Sequence, residues 1–229
     1  MNIAVILSGG SGSRMGTSTP KQYLIVKGKP VIEYAIDVFL NHGLIDILVI
    51  CASNEWIQFI DKIVRKLDSH KQVFYAESGS TRQGSIINAF KVVKELVVSD
   101  EDVVLIHEAA RPLLSKELIT RCLDAMSEAD AVLPVVPVKN TTYLSSDGKS
   151  IDSLLNRSQL WSGQAPEVFR FGRYYSIIQN NKNLLTLTGG TEAAFRAGLK
   201  CVLVEGEEKN FKITTQKDLV CFEAILESE

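Results

Sequence analysis

Residues 8–16 read Ser-Gly-Gly-Ser-Gly-Ser-Arg-Met-Gly, and Pro-Lys-Gln follows at 20–22. Four glycines, three serines and an arginine crowd into this one turn, directly after an apolar run. Glycine tolerates positive φ and has no Cβ to hold a ligand away. A loop of Ser8, Gly9, Gly10, Gly12 and Ser13 can therefore wrap backbone N–H groups around a phosphate. Arg14 and Lys21 add charge that a neutral turn lacks, so the expected ligand is a polyphosphate. A P-loop would need Gly-Lys-Ser/Thr, which is not present. A dinucleotide fingerprint would need glycine where Met15 stands; Gly16 comes one residue late, and the acidic candidate Glu33 falls inside a helical pattern. The bland alternative is a strand–turn–helix connection with no ligand, but plain turns seldom carry so many glycines beside two cations.

Three further clusters could join this chemistry. His107-Glu108-Ala109-Ala110-Arg111-Pro112 follows the apolar run Val103–Ile106 and would face a ligand, or else form an ion pair and a helix-entry proline. Gly79-Ser-Thr-Arg82-Gln-Gly-Ser85 precedes a helical pattern, where Ser and Thr are ordinarily caps. Lys212 sits in Glu208-Lys-Asn-Phe-Lys-Ile-Thr-Thr215, before the last helical pattern; a lone lysine there is ordinarily solvent-exposed.

These residues must be positioned by the surrounding elements. Candidate strands are Ile3–Leu7, Ile47–Cys51, Val73–Ala76, Val103–Ile106, Ala131–Val136 and Cys201–Val204. Candidate helices are Val31–Leu40, Trp56–Leu67, Arg82–Val97, Lys116–Met126, Arg173–Asn180, Glu192–Ala197 and Lys217–Glu227. Short apolar strands alternating with amphipathic helices predict an α/β fold, a mainly parallel sheet with helices on both faces. Ligands then sit outside the strands' carboxyl ends, where the glycine loop stands. Pro137–Asn156 breaks the alternation: Thr141–Leu144, the turn Ser145–Gly148 and Ile151–Leu155 read as a β-hairpin.

With 229 residues the chain is expected to be one domain, residues 1–229, able to bury a substantial core. The formal net charge of −2 argues against a general nucleic-acid binder. No apolar stretch is long enough to span a membrane, and the start of the chain lacks a secretory pattern. Cys51, Cys122, Cys201 and Cys221 show neither metal spacing nor a disulfide framework, so a reducing cytoplasm is the expected setting.

The string L-S-G-G-x-G-x-R-M-G with P-K-Q downstream resembles the signature of sugar-phosphate nucleotidyltransferases. More narrowly, it resembles the cytidylyltransferases that act on methylerythritol phosphate or ribitol phosphate. The other clusters follow in the family's order. His107–Pro112 is similar to H-D-A-A-R-P, with Glu108 one methylene longer. Gly79–Ser85 is similar to G-x-x-R-x-x-S, and Asn210–Thr214 to N-I-K-[VIL]-T. Arg157-Ser-Gln-Leu-Trp161 and Gln164-Ala-Pro166 are similar to R-S-x-L-W and Q-T-P-Q, and Thr188–Ala194 to T-D-[DE]-A, with only Glu192 acidic.

The resemblance implies a Rossmann-like nucleotide-diphospho-sugar transferase fold with a protruding β-arm at about 137–157. It implies nucleotidyl transfer: a phosphate monoester attacks the α-phosphorus of CTP, and pyrophosphate leaves. It casts Arg14, Lys21 and Lys212 as catalytic, and Ser8, Gly9, Gly10, Gly12, Ser13, Gly79, Arg82, Ser85, Glu108 and Ala109 as the CTP site. Arg111, Thr141, Arg157 and Lys212 fall to the acceptor, with Thr141 and Arg157 completing a neighbour's pocket across a homodimer. Mg²⁺ is expected on the CTP phosphates rather than in a protein metal site. The expected partners are CTP and a small polyol phosphate, with no nucleic acid and no membrane. Gly163-Gln164 and Leu7–Gly10 favour a ribitol 5-phosphate-like acceptor, as in cell-wall polysaccharide synthesis. Arg157–Trp161 favours 2-C-methyl-D-erythritol 4-phosphate, as in isoprenoid biosynthesis. A nucleotidyltransferase of another base or sugar and a non-catalytic nucleotide-binding homologue are the further alternatives.

Overall fold

Alternate residues of the first strand face opposite ways, and both sets are apolar. Ala4 and Ile6 enter one core layer while Ile3 and Val5 enter another, as a strand covered on both faces requires. The computed structural model describes residues 1–10, 19–97, 99–180, 184–187 and 189–228. In the first half, β1 (Asn2–Leu7) is followed by the short strands β2 (Ile25–Val26) and β3 (Lys29–Pro30). Then come α1 (Val31–Leu40), β4 (Ile47–Ala52), α2 (Asn54–Lys66), β5 (Gln72–Glu77), α3 (Arg82–Lys94) and β6 (Val103–Glu108). The second half comprises α4 (Lys116–Ala125), β7 (Ala131–Pro137), β8 (Tyr143–Leu144), β9 (Ser153–Leu154), β10 (Trp161–Gly163) and β11 (Glu167–Arg170). It ends with α5 (Phe171–Asn180), α6 (Gly190–Arg196), β12 (Cys201–Glu205) and α7 (Gln216–Ser228).

Helix α1 has the predicted bounds, and the other six predicted helices and all six predicted strands are present with shifted ends. α3 stops at Lys94 rather than Val97, and α2 starts at Asn54 rather than Trp56. His107 and Glu108 are the last two residues of β6 rather than the turn after it. The hairpin forms as predicted but is shorter, pairing Tyr143 with Leu154 and Leu144 with Ser153.

Parallel pairs join β5, β4, β1 and β6. Strand β11, which the residue pattern does not reveal, runs antiparallel between β6 and β7. β12 lies parallel on the other edge of β7. β10 pairs with β7 along the same edge as β11. Gly163 faces Val135 and Val168 faces Val132, so the segment between β10 and β11 carries two residues more than the strand it follows. This bulge holds Gln164, Ala165 and Pro166, with a cis bond before the proline.

α1, α2 and α4 cover one face through Ile32, Ile36, Phe39, Ile60, Leu118 and Cys122. α3, α5 and α6 cover the other through Phe90, Val93, Phe171, Tyr174 and Ala193. Each fully buried aliphatic or aromatic side chain contributes roughly 1.5–3 kcal/mol, which holds the strand ends rigid beneath the site.

Candidate active site

The sheet's carboxyl-end rim collects the residues singled out from sequence. At the end of β1, the Ser8 amide donates to the Cys51 carbonyl at 2.7 Å. Gln22 Nε2 then donates to the carbonyls of Ser8 and Gly10, both at 2.8 Å. Ser8 Oγ donates to the Tyr23 hydroxyl at 2.8 Å, and the Tyr23 ring stacks on Trp56 with centroids 4.0 Å apart. Burial raises the Tyr23 pKa, so its hydroxyl remains neutral. With these carbonyls held from behind, the exposed Gly9 and Gly10 face the cavity. Gly9 must be glycine, because a Cβ would lie 2.3 Å from Ser78 Cβ. Gly12, Ser13 and Arg14 lie outside the described residues.

The turn before α3 packs as closely. A Cβ on Gly79 would sit 2.5 Å from the carbonyl carbon of Gly84 and 2.7 Å from the Ser85 nitrogen. The Gly79 amide donates to Ser85 Oγ at 3.0 Å, and Thr81 Oγ1 caps the helix by accepting from the Gly84 amide at 3.0 Å. Ser85 is thus tied into the turn's own frame, and Arg82 is aimed across the rim.

Glu108 gathers the cations. Its Oε1 accepts from Arg82 Nε at 3.2 Å and Lys212 Nζ at 2.9 Å, and its Oε2 from Arg111 Nε at 3.1 Å. Burial alone would raise this carboxyl, but Lys212, Arg82 and Arg111 outweigh it and hold the pKa at about 2. Arg111 Nη1 also donates to the Asn210 carbonyl at 2.7 Å, and Asn210 Nδ2 donates to the Ala165 carbonyl at 2.7 Å. The fully buried His107 places Nε2 2.9 Å from the Arg111 carbonyl, and burial pushes its pKa down to about 4. It stays neutral near pH 7 and serves as a brace for Arg111.

Two cavities open on this cluster. The first, about 500 Å³, is lined by Ser8, Gly9, Gly10, Lys21, Gly79, Arg82, Ser85, Glu108, Ala109 and Lys212. These are all the described residues of the predicted CTP site, together with both described catalytic candidates. The second, about 360 Å³, is lined by Arg111, Gln164, Ala165, Glu167, Thr191 and Glu192, and it shares Arg82, Glu108 and Lys212 with the first. Glu192 is an early-helix carboxylate ion-paired with Arg196 at 2.9 Å. Thr141 is exposed, and Arg157 is exposed with Nη1 donating to the Lys139 carbonyl at 2.8 Å. Neither lines these two cavities of its own chain.

Two site residues escaped the residue pattern. Gln22 was visible only as the neighbour of Lys21, although it sets the loop's carbonyls. Glu167 was hidden because β11 was unrecognised: an antiparallel strand brings its amino end, not its carboxyl end, to the rim. Among the described residues no three His, Cys, Asp or Glu side chains are grouped to hold a metal. Glu108 already spends both oxygens on cations.

Residues 2–228 match the family model described as 2-C-methyl-D-erythritol 4-phosphate cytidylyltransferase. The chain is 35% identical to the enzyme of that name from Thermosipho melanesiensis, covering 96% of this chain and 95% of the relative. It is 32% identical to a ribitol-5-phosphate cytidylyltransferase from Streptococcus agalactiae, covering 100% and 96%. A crystal structure of 4-diphosphocytidyl-2C-methyl-D-erythritol synthase from Anaerococcus prevotii superposes with a TM-score of 0.84 at 26% identity, covering 99% of this chain and 96% of the other.

Proposed function

This chain belongs to the 2-C-methyl-D-erythritol 4-phosphate cytidylyltransferase family, and from that premise we propose that it transfers CMP from CTP to a polyol phosphate of the ribitol 5-phosphate type, releasing pyrophosphate. The observation that carries the reading is the shared wall. Two cavities meet at Arg82, Glu108 and Lys212, as a reaction that joins two phosphates requires. The first takes CTP, with the triphosphate on the glycine loop and the base at the turn 79–85. The second takes the acceptor, with Arg111 near its phosphate.

The acceptor's phosphate oxygen forms a bond to the α-phosphorus as the bond to the leaving pyrophosphate breaks. The attacking oxygen is already anionic, so positioning and charge neutralisation carry the catalysis. Lys21 and Arg14 offset charge on the triphosphate, and Lys212 draws the two phosphates together. Mg²⁺, as a companion of the CTP phosphates, would neutralise further charge there. The dimer reading belongs to the same proposal. The hairpin exposes Tyr143, Leu144, Ile151 and Leu154, with Tyr143 and Leu154 paired across one face; such exposed apolar surface suits a second copy, which would bring Thr141 and Arg157 to the neighbour's acceptor cavity.

Asn140, where the family's arm has aspartate, Ala165, where it has threonine, and the lone acidic Glu192 depart from the pattern of both acceptor classes. The match to ribitol-5-phosphate cytidylyltransferases over the full chain supports the ribitol reading. The second reading, 2-C-methyl-D-erythritol 4-phosphate, is favoured by the family description and by the relative at 35% identity. Pyrophosphate release with CTP and a panel of polyol phosphates tests both. The ribitol reading expects ribitol 5-phosphate to give the highest kcat/KM, and a clear preference for methylerythritol phosphate overturns it.

A further inference from the structure

Glu167 stands at the amino end of β11, with its side chain 8% exposed. Its Oε1 accepts from Arg82 Nη2. Its Oε2 accepts from the Thr191 amide at 2.6 Å and from Thr191 Oγ1 at 3.0 Å. Arg82 and the Thr191 amide can only donate, so an acceptor-only carboxylate fits where a glutamine cannot. A carboxamide would turn its NH₂ group either to the guanidinium or to the Thr191 amide. The fit is close: a Cβ on Gly190 would lie 2.7 Å from Glu167 Oε2. This carboxylate therefore joins a turn of the first cavity to a turn of the second. Gly189, Thr191 and Glu192 line only the second.

We infer that Glu167 is a positioning residue for the acceptor, fixing the turn Gly189–Glu192 against Arg82 so that Thr191 and Glu192 present a set polar wall to the hydroxyls of a polyol phosphate. The inference rests on the reading of the second cavity as the acceptor site. Its two ends are unequal. Without Glu167, Arg82 still has Glu108 at 3.2 Å, whereas the Thr191 amide has no other acceptor among the described residues. The effect should fall on the acceptor and spare CTP.

Steady-state kinetics on the full chain test this, with CTP and the best acceptor of the panel. Glu167→Gln should raise acceptor KM by about tenfold, the loss of one charge-assisted hydrogen bond, and leave CTP KM within about twofold. Thr191→Val keeps the amide contact and loses the hydroxyl, so acceptor KM should rise by roughly threefold. A merely structural role would raise both KM values together with a fall in Tm, and that result overturns the inference, as does an unchanged acceptor KM. If Glu167→Gln fails to fold, the Thr191→Val ratio decides by the same criterion. A wild type that turns over no polyol phosphate overturns the functional reading and this inference with it. An active wild type with a flat variant ratio overturns the role of Glu167 alone.

Discussion

Replacing Glu108 by Gln tests the electrostatic centre of the site. The carboxylate accepts from Lys212, Arg111 and Arg82 at 2.9, 3.1 and 3.2 Å. It is held at about 2 against an ordinary 4.5. At ~1.4 kcal/mol per pH unit, that is on the order of 3 kcal/mol of stability near neutral pH. The carboxyl is depressed in the fold, so this contribution is complete above the unfolded value of 4.5 and is lost as pH falls through about 2. Glu108→Gln keeps the shape and removes the charge, leaving three cations together. Urea unfolding near neutral pH should show a loss of about 3 kcal/mol. The gap between wild type and variant should close as the pH is lowered through the carboxylate range. A loss below about 1 kcal/mol, the worth of a surface ion pair, would refute the reasoning, and so would a gap that ignores pH.

Gly79→Ala must push the start of α3 away from the rim, because its Cβ would meet Gly84 and Ser85 backbone atoms at 2.5 and 2.7 Å. A loss of ~1–3 kcal/mol with a raised CTP KM is expected from thermal unfolding and kinetics. Lys21→Ala should cut single-turnover rate far more than nucleotide affinity, by about a hundredfold for a lost charge-stabilising contact; an unchanged rate at saturating CTP removes it from catalysis. Arg157→Ala should weaken acceptor binding and spare CTP, and equal loss of both contradicts its place on a dimer arm.

The parallel half of the fold was legible because each strand is a short apolar run and each helix keeps an apolar stripe. Glu167-Val-Phe-Arg170 was not, since four residues with charges at both ends carry little periodic signal. The glycine loop and the turn at Gly79 were legible from composition, as close backbone packing admits few other residues. The three-cation grip on Glu108 was not, because Arg82, Arg111 and Lys212 come from separate segments and only the fold shows them converging. The role of Gln22 was hidden for another reason: its partners are backbone carbonyls, which leave no trace in side-chain spacing.

The placement of β11 has a consequence for biogenesis. β6 and β7 are not hydrogen-bonded to each other; the four residues of β11 stand between them. On the ribosome, β1, β4, β5 and β6 can assemble as soon as they emerge, but β7 has no edge to join until residues 167–170 have followed it out. The hairpin arm is synthesised during that wait, so its exposed apolar side chains meet the cell before the sheet is closed. The step that seats Glu167 at the rim is the step that zips the two halves of the sheet together. A nascent chain halted before Glu167 should therefore lack both the acceptor wall and a finished core, and partly made chains should not bind acceptor.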